Sequence, residues 1–204
     1  MTELFAIENS DLQALPLADL RYFPAFLGAT QALAAFDAVR ESTHWQQPEI
    51  TLFGRRVLTP RLSCWMGDAN AVYRYSNTTF TPEPWTQPVL ELRKRLQSAL
   101  GIRFNSVLLN YYRNGSDAMG WHSDDEPELG AQPVIASLSL GGERRFLLRR
   151  RQGGKSTALR LANGSVLVMQ GDTQKFYQHS LPRTARPVQP RLNLTFRTVL
   201  PTAR

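Results

Sequence analysis

Cysteine is almost absent: Cys64 is the only one in 204 residues. That excludes a disulfide framework and any cysteine-based zinc site, including the paired cysteines of a zinc deaminase. No apolar run approaches the roughly 18 residues of a membrane span. The opening segment, MTELFAIENSDLQ, carries acids where a secretory signal would carry positive charge. The expectation is a soluble, cytoplasmic protein with no membrane partner, on the nucleoid in a bacterium or in the nucleus of a eukaryote. Lysine is scarce too, at three of 24 bases: Lys94, Lys155 and Lys175. No GxSxG turn is present, so a Ser-His-Asp hydrolase of that type is excluded.

What is present is an ordinary globular composition, 42% hydrophobic and 20% charged, on a chain long enough for one sizeable core. We expect a single domain over 1–204 and, by default, a monomer. The net charge of +7 is unevenly spread. Residues 1–49 hold Arg21 and Arg40 against seven acids, whereas the remainder holds 22 bases against 10 acids. A basic body suggests a polyanionic partner, with nucleic acid first. A codon bias toward arginine is the bland alternative, and arginine is also the better fork for phosphate.

Residues 28–41 carry helical spacing, with Leu33, Phe36 and Val39 or Arg40 on neighbouring turns. A second helix is expected after Thr86, with Pro88 in its first turn. Val89, Leu92, Leu96 and Leu100 form its apolar face, and Gly101 ends it. TLFGRRVL and AVYRYSNTTF have strand texture. From 104 onward so do SVLLNYY, PVIASLSL, RRFLLRR, TALRL, SVLVMQG and RLNLTFRTV, with glycine-bearing turns between them. The expected fold is mainly β: a double-stranded core over about 101–204, with N-terminal helices and a recognition lid over about 1–100.

Three histidines exist: His44, His122 and His179. In an extended His122-Ser123-Asp124, the imidazole and the carboxylate project to one side. A second imidazole would complete a two-histidine, one-carboxylate face that leaves positions open on Fe(II). His179 is the candidate and His44 the competitor. In Arg191-Leu192-Asn193-Leu194-Thr195-Phe196-Arg197 the alternation is strict. The apolar row belongs on a core. The opposite row places two guanidiniums on a strand rich enough in β-formers to be internal. Buried arginines need anions, and a dicarboxylate would serve; an exposed sheet face with two solvated arginines is the alternative. Asn110 and Tyr112 share a face and can donate to a carboxylate, or the tyrosine can pack the core.

N-x-Y, then H-x-D, then a distant H, then R-x-N-x-T-x-R resembles the ordered signature of the AlkB-type Fe(II)/2-oxoglutarate dioxygenases, nucleic-acid repair branch. The likeness runs from about residue 60 to 199, through NYYRNGSDAMGWHSDDEPEL, ASLSLG, HSLP and RLNLTFR. It implies a jelly-roll core, with Fe(II), 2-oxoglutarate and O₂ as cofactor and cosubstrates. His122, Asp124 and His179 would be the iron ligands. Arg191, with Asn193 and Tyr112, would hold the distal carboxylate of 2-oxoglutarate. Asn110 and Arg197 would lie near its chelating end, and Thr195 belongs to the same row. Tyr75 would stack on a flipped base opposite His122, with Tyr73 and Ser76 beside it. Asp125 and Glu126 would favour a cationic base. The implied activity is oxidative demethylation of 1-methyladenine and 3-methylcytosine type bases in DNA, with RNA as an alternative, releasing formaldehyde and succinate. Trp45 is a candidate wedge for opening a duplex. Arg144, Arg145, Arg149, Arg150, Arg151 and Lys155 form an expected strand-contacting hairpin.

Two rivals stand beside this: a related oxygenase acting on RNA, protein or a small molecule, and a non-catalytic nucleic-acid-binding module. Gly153-Gly154-Lys155-Ser156-Thr157 ends like a phosphate loop, but Arg149 stands where that loop needs its first glycine. A hairpin turn explains it better.

Overall fold

A computed structural model describes residues 15–52, 54–71, 73–75 and 78–200. Fourteen strands are described: β1 (Asp19–Phe23), β2 (Glu49–Leu52), β3 (Arg55–Leu58), β4 (Leu62–Gly67), β5 (Tyr73–Tyr75), β6 (Thr78–Phe80), β7 (Ser106–Tyr112), β8 (Met119–His122), β9 (Ile135–Gly141), β10 (Arg144–Arg150), β11 (Thr157–Leu161), β12 (Val166–Gln170), β13 (Tyr177–Leu181) and β14 (Arg191–Arg197). Two longer helices, α1 (Ala29–Ser42) and α2 (Gln87–Leu100), and a single-turn α3 (Thr173–Phe176) accompany them. None of these helices is long and apolar enough to cross a membrane.

Six strands form one sheet in the order β1-β12-β9-β14-β7-β4, and four form another in the order β11-β10-β13-β8. All pairs in both sheets are antiparallel. This is the double-stranded core that the strand spacing predicts and the jelly-roll that the family resemblance implies. Two hairpins, β2–β3 and β5–β6, stand apart as two-stranded ribbons. One difference concerns the first hundred residues, expected as a helical layer and lid. They also supply β1 and β4 to the six-stranded sheet. DLRYF alternates but is only five residues long, and LSCWMG lacks a polar residue on every second position.

Strand β14 is internal, paired to β7 on one side and β9 on the other. Its Leu192, Leu194 and Phe196 point away from the second sheet and are fully buried with Val107, Leu109, Leu138 and Val168. The helices cover that face. Val89, Leu92 and Leu96 of α2 join the core, as do Ala32, Phe36 and Val39 of α1. Each of these side chains except Ala32 contributes about 1.5–3 kcal/mol by leaving water. Leu33, expected on the inner face of α1, is instead 61% exposed. Ala32 takes that place because the helix lies close to the β11–β12 turn, where a Cβ at Gly164 would meet the Ala32 Cβ at 3.1 Å.

Helix α2 starts at Thr86 and ends at Gly101, as expected, with Gly101 in the left-handed region at φ +70°. Thr86 makes no side-chain cap; its hydroxyl accepts from Ser42 Oγ at 3.3 Å. Between the sheets, Phe146, Leu148, Leu159, Leu161, Leu167, Met169 and Tyr177 form a second apolar cluster. Beside it lies a cavity with a mixed polar and apolar lining.

Candidate metal centre and its cavity

The cavity is lined from both sheets. Strands β7 and β14 contribute Asn110, Tyr112, Arg191, Asn193, Thr195 and Arg197; β8 and β13 contribute His122 and His179; Asp124 follows β8. Period-two alternation explains the β14 row. Because the strand has partners on both edges and a core behind it, its odd-numbered side chains can only enter the intersheet space.

His122 and His179 are direct cross-strand partners on β8 and β13. Their ring centroids lie 4.2 Å apart. Pairing shifts register between His179 and Leu181, a bulge beside the site. His122 Nδ1 lies 2.9 Å from the Gly120 carbonyl, which can only accept, so Nδ1 carries a hydrogen and Nε2 is the ring nitrogen left to face a ligand. Ser123 Oγ donates to the Tyr177 carbonyl at 2.8 Å, and the Asp124 N–H donates to Gln174 Oε1 at 2.9 Å. These two bonds turn the chain so that Asp124 follows His122 into the cavity. The ligand atoms of His122, Asp124 and His179 all fall within 4.8 Å of one another, an arrangement that could hold a metal ion. The competitor His44 is far from it, at the surface against Glu83.

The electrostatics favour the ligand forms. Burial pushes the Asp124 carboxyl up, but Arg197 and the two histidines outweigh it and hold the group below the usual carboxylate range. Burial, reinforced by His122 and Arg197 against the opposing pull of Asp124, pushes His179 down to about 3, so its imidazole is neutral. Phe146 stacks on His179 with centroids 5.2 Å apart.

Arg191 is 2% exposed and has no carboxylate partner among the described residues. Its Nη2 donates to Ser139 Oγ at 2.8 Å, and its buried Nε has no hydrogen-bond partner. The guanidinium lies 5.8 Å from the centre of the Tyr112 ring. Burial lowers the Arg191 pKa to about 10, which leaves it charged at neutral pH. Burial raises that of Tyr112, which stays a neutral donor. The buried Nε of Arg197 is also unpartnered.

Asn193 and Thr195 line the cavity, but their bonds are internal. Asn193 Nδ2 donates to Ser137 Oγ at 2.8 Å and to the Leu138 carbonyl at 3.3 Å, and Thr195 Oγ1 donates to Asn193 Oδ1 at 3.0 Å. Both donors of the Asn193 amide are thus engaged within the protein. Asp125 and Glu126 do not line the cavity. Asp125 is exposed and ion-paired to Arg151. Glu126 is half-buried, with an unpartnered Oε2. Tyr73 and Tyr75 lie on β5, whose side chains are outside the described set, and Ser76 lies outside the described residues altogether.

Two expectations are corrected. Arg144 does not belong to the exposed basic hairpin: it is 4% exposed and donates to the carbonyls of Asn114, Asp117 and Pro182. Trp45 is no wedge. Its indole N–H donates to the Arg40 carbonyl at 2.9 Å and its ring packs 5.4 Å from Tyr111. Four participants escaped the sequence reading: Gln174, Phe146, Ser139 and Arg61, whose Nε donates to Asn110 Oδ1 at 2.7 Å. Only long-range packing brings them to the site, so no local pattern marks them.

Residues 19–197 match the model of the 2OG-Fe(II) oxygenase superfamily. The chain is 38% identical over 192 residues to the human alpha-ketoglutarate-dependent dioxygenase alkB homolog 3, covering 89% of this chain and 66% of that protein. It is 42% identical over 163 residues to the mouse DNA oxidative demethylase ALKBH2, covering 76% and 68%. The corresponding Arabidopsis thaliana protein is 36% identical, covering 98% and 75%. The chain thus spans about two thirds of the length of the human relative. Among solved structures, that of OsALKBH1 superposes with a TM-score of 0.66 at 18% identity, over 89% of this chain and 97% of that one, a likeness of fold.

Proposed function

The chain belongs to the 2OG-Fe(II) oxygenase superfamily and to its AlkB branch, and from that premise we propose that it oxidatively demethylates N-alkylated bases in DNA, releasing formaldehyde and succinate. The observation that carries this reading is the shared cavity. A two-histidine, one-carboxylate set stands in one space with a fully buried arginine that lacks a carboxylate. A buried, unpaired guanidinium costs several kcal/mol, and a dicarboxylate entering the cavity offsets that cost.

The donor set fits Fe(II): one carboxylate and two imidazoles, with open positions facing the cavity. His122, Asp124 and His179 would hold the iron. Arg191 and Tyr112 would bind the distal carboxylate of 2-oxoglutarate, where the orphaned Arg191 Nε awaits an acceptor. Asn110 and Arg197 would receive its other end. Bound iron supplies the oxidative decarboxylation of 2-oxoglutarate and the activation of O₂. The chain's own part is to position and to dry the site. Arg197 fixes the Asp124 carboxylate, Gln174 and Ser123 fix the turn that presents it, and Leu108, Met119, Phe146 and Leu181 exclude water.

The substrate reading rests on β5 and on charge. Tyr75 would stack on an extruded base, because a methylated base in a strand must leave the stack to meet the iron. The exposed Arg145, Arg151 and Lys155, with half-buried Arg149 and Arg150, would hold the phosphates. Arg149 lies 4.0 Å over the ring of Trp121, whose neighbour His122 faces the other way, so this basic face is the outside of the sheet whose inner side carries the metal centre.

The test is formaldehyde release from a single-stranded oligonucleotide containing 1-methyladenine, with Fe(II), 2-oxoglutarate and ascorbate. Release is expected from the wild type and not from His122→Ala. Succinate without formaldehyde would move the substrate elsewhere. Neither product from the wild type would overturn the reading.

A further inference from the structure

Asn110 is 4% exposed and lines the cavity. Its amide has an acceptor end and a donor end, and only the donor end can welcome a carboxylate. The choice between them is made by Arg61. An arginine Nε–H donates and cannot accept, so the atom 2.7 Å from it must be Asn110 Oδ1. Nδ2 is thereby turned the other way. Without that bond the amide is free to rotate by half a turn and to present Oδ1 to an incoming anion, which repels it.

The arginine is well placed to hold this choice. It immediately precedes β4, whose Ser63 lies opposite Asn110 on β7. The backbone around it is pinned: Arg61 N–H donates to the Thr59 carbonyl at 2.8 Å, and Ala118 N–H donates to the Pro60 carbonyl at 2.8 Å. Arg61 is half-buried and forms no ion pair with a described carboxylate. A cation in that setting normally takes a carboxylate, yet its side chain is aimed at an amide oxygen.

We propose that Arg61 is a positioning residue for 2-oxoglutarate, fixing the Asn110 amide so that its Nδ2 donates into the cavity. The inference rests on the cosubstrate role proposed for Asn110. It concerns the hydrogen bond and not the charge of Arg61, and the two are separable. In glutamine, Nε2 occupies the same place along the side chain as arginine Nε, and it donates without a charge. Methionine has the same length and no donor.

The experiment is calorimetric titration of 2-oxoglutarate into the Mn(II)-loaded protein, with Mn(II) affinity measured separately. Arg61→Met is expected to weaken 2-oxoglutarate about 10- to 100-fold, the scale of one lost hydrogen bond to a charged group. Mn(II) affinity should stay within twofold. Arg61→Gln is expected to bind 2-oxoglutarate like the wild type. In an Asn110→Ala background, Arg61→Met should have no further effect. In turnover, the loss should fall on the KM for 2-oxoglutarate with kcat kept. If Arg61→Met does not fold, Arg61→Leu takes its place. Equal losses in Arg61→Gln and Arg61→Met would overturn the inference in favour of charge. A loss that persists without Asn110 would overturn it too. Failure of the wild type itself to bind 2-oxoglutarate would instead sink the cosubstrate reading on which it stands.

Discussion

Arg197 Nη2 donates to Asp124 Oδ1 at 2.6 Å, while Asp124 Oδ2 lies 3.9 Å from His179 Nε2. One carboxylate oxygen is thus held by a cation on β14 and the other faces an imidazole on β13. Arg197 keeps Asp124 ionised but also places a positive charge beside the metal position. Removing it leaves a buried carboxylate without its partner, a loss of about 3–5 kcal/mol. Arg197→Met is therefore expected to lower the thermal midpoint without metal and to show a larger Mn(II)-induced rise than the wild type. A smaller rise would show that Arg197 aids metal binding more by orienting Asp124 than it opposes it by charge.

Arg191 makes a different bargain between stability and binding. Its guanidinium is buried with Ser139 as its one described hydrogen-bond partner. Arg191→Met should leave the apo protein at least as stable as the wild type, because the desolvated charge is gone. It should also abolish the 2-oxoglutarate-dependent rise in thermal midpoint. A clear loss of apo stability would mean that the cavity depends on that charge.

The β7–β8 connection supplies an acid-sensitive element. Asp117 accepts from Arg113 Nε at 2.8 Å and from the Arg113 backbone N–H at 2.9 Å. Burial raises its pKa, but these bonds and the charges of Arg113 and Arg144 outweigh burial and lower it. A lowered folded pKa contributes stability above the unfolded value of about 3.9, and that contribution is lost as pH falls through the folded value. Asp117→Asn is expected to cost about 1.5–3 kcal/mol near pH 7 and progressively less toward pH 2. Urea midpoints at the two pH values check this; an equal deficit at both would contradict it.

The basic outer face yields a salt dependence. Neutralising Arg145, Arg149 and Lys155 together should flatten the plot of log affinity against log salt for single-stranded DNA by about 2, at roughly 0.7 per phosphate contact. Fluorescence anisotropy across a salt series measures it. An unchanged slope would place the strand elsewhere on the surface.

By itself the sequence determined much of what depends on neighbours along the chain. Strict alternation over 191–197 separated an apolar row from a polar one, since successive side chains on a strand must face opposite ways. The H-x-D triplet put His122 and Asp124 on one side for a related reason. Thr86, Pro88 and Gly101 bounded α2 through local backbone preferences. Tertiary structure alone decided what depends on register and layer. That His179 and not His44 meets His122 follows from the pairing of β8 with β13. Arg144 is buried and Arg145 exposed because β10 turns one face to the interior, and a run of arginines does not say which residue falls on which face. Arg61 reaches Asn110 across 49 positions of chain because β4 lies beside β7. Such contacts are made by the closing of sheets, whose free energy comes from burying the core, and no local pattern of residues encodes which distant side chain will arrive.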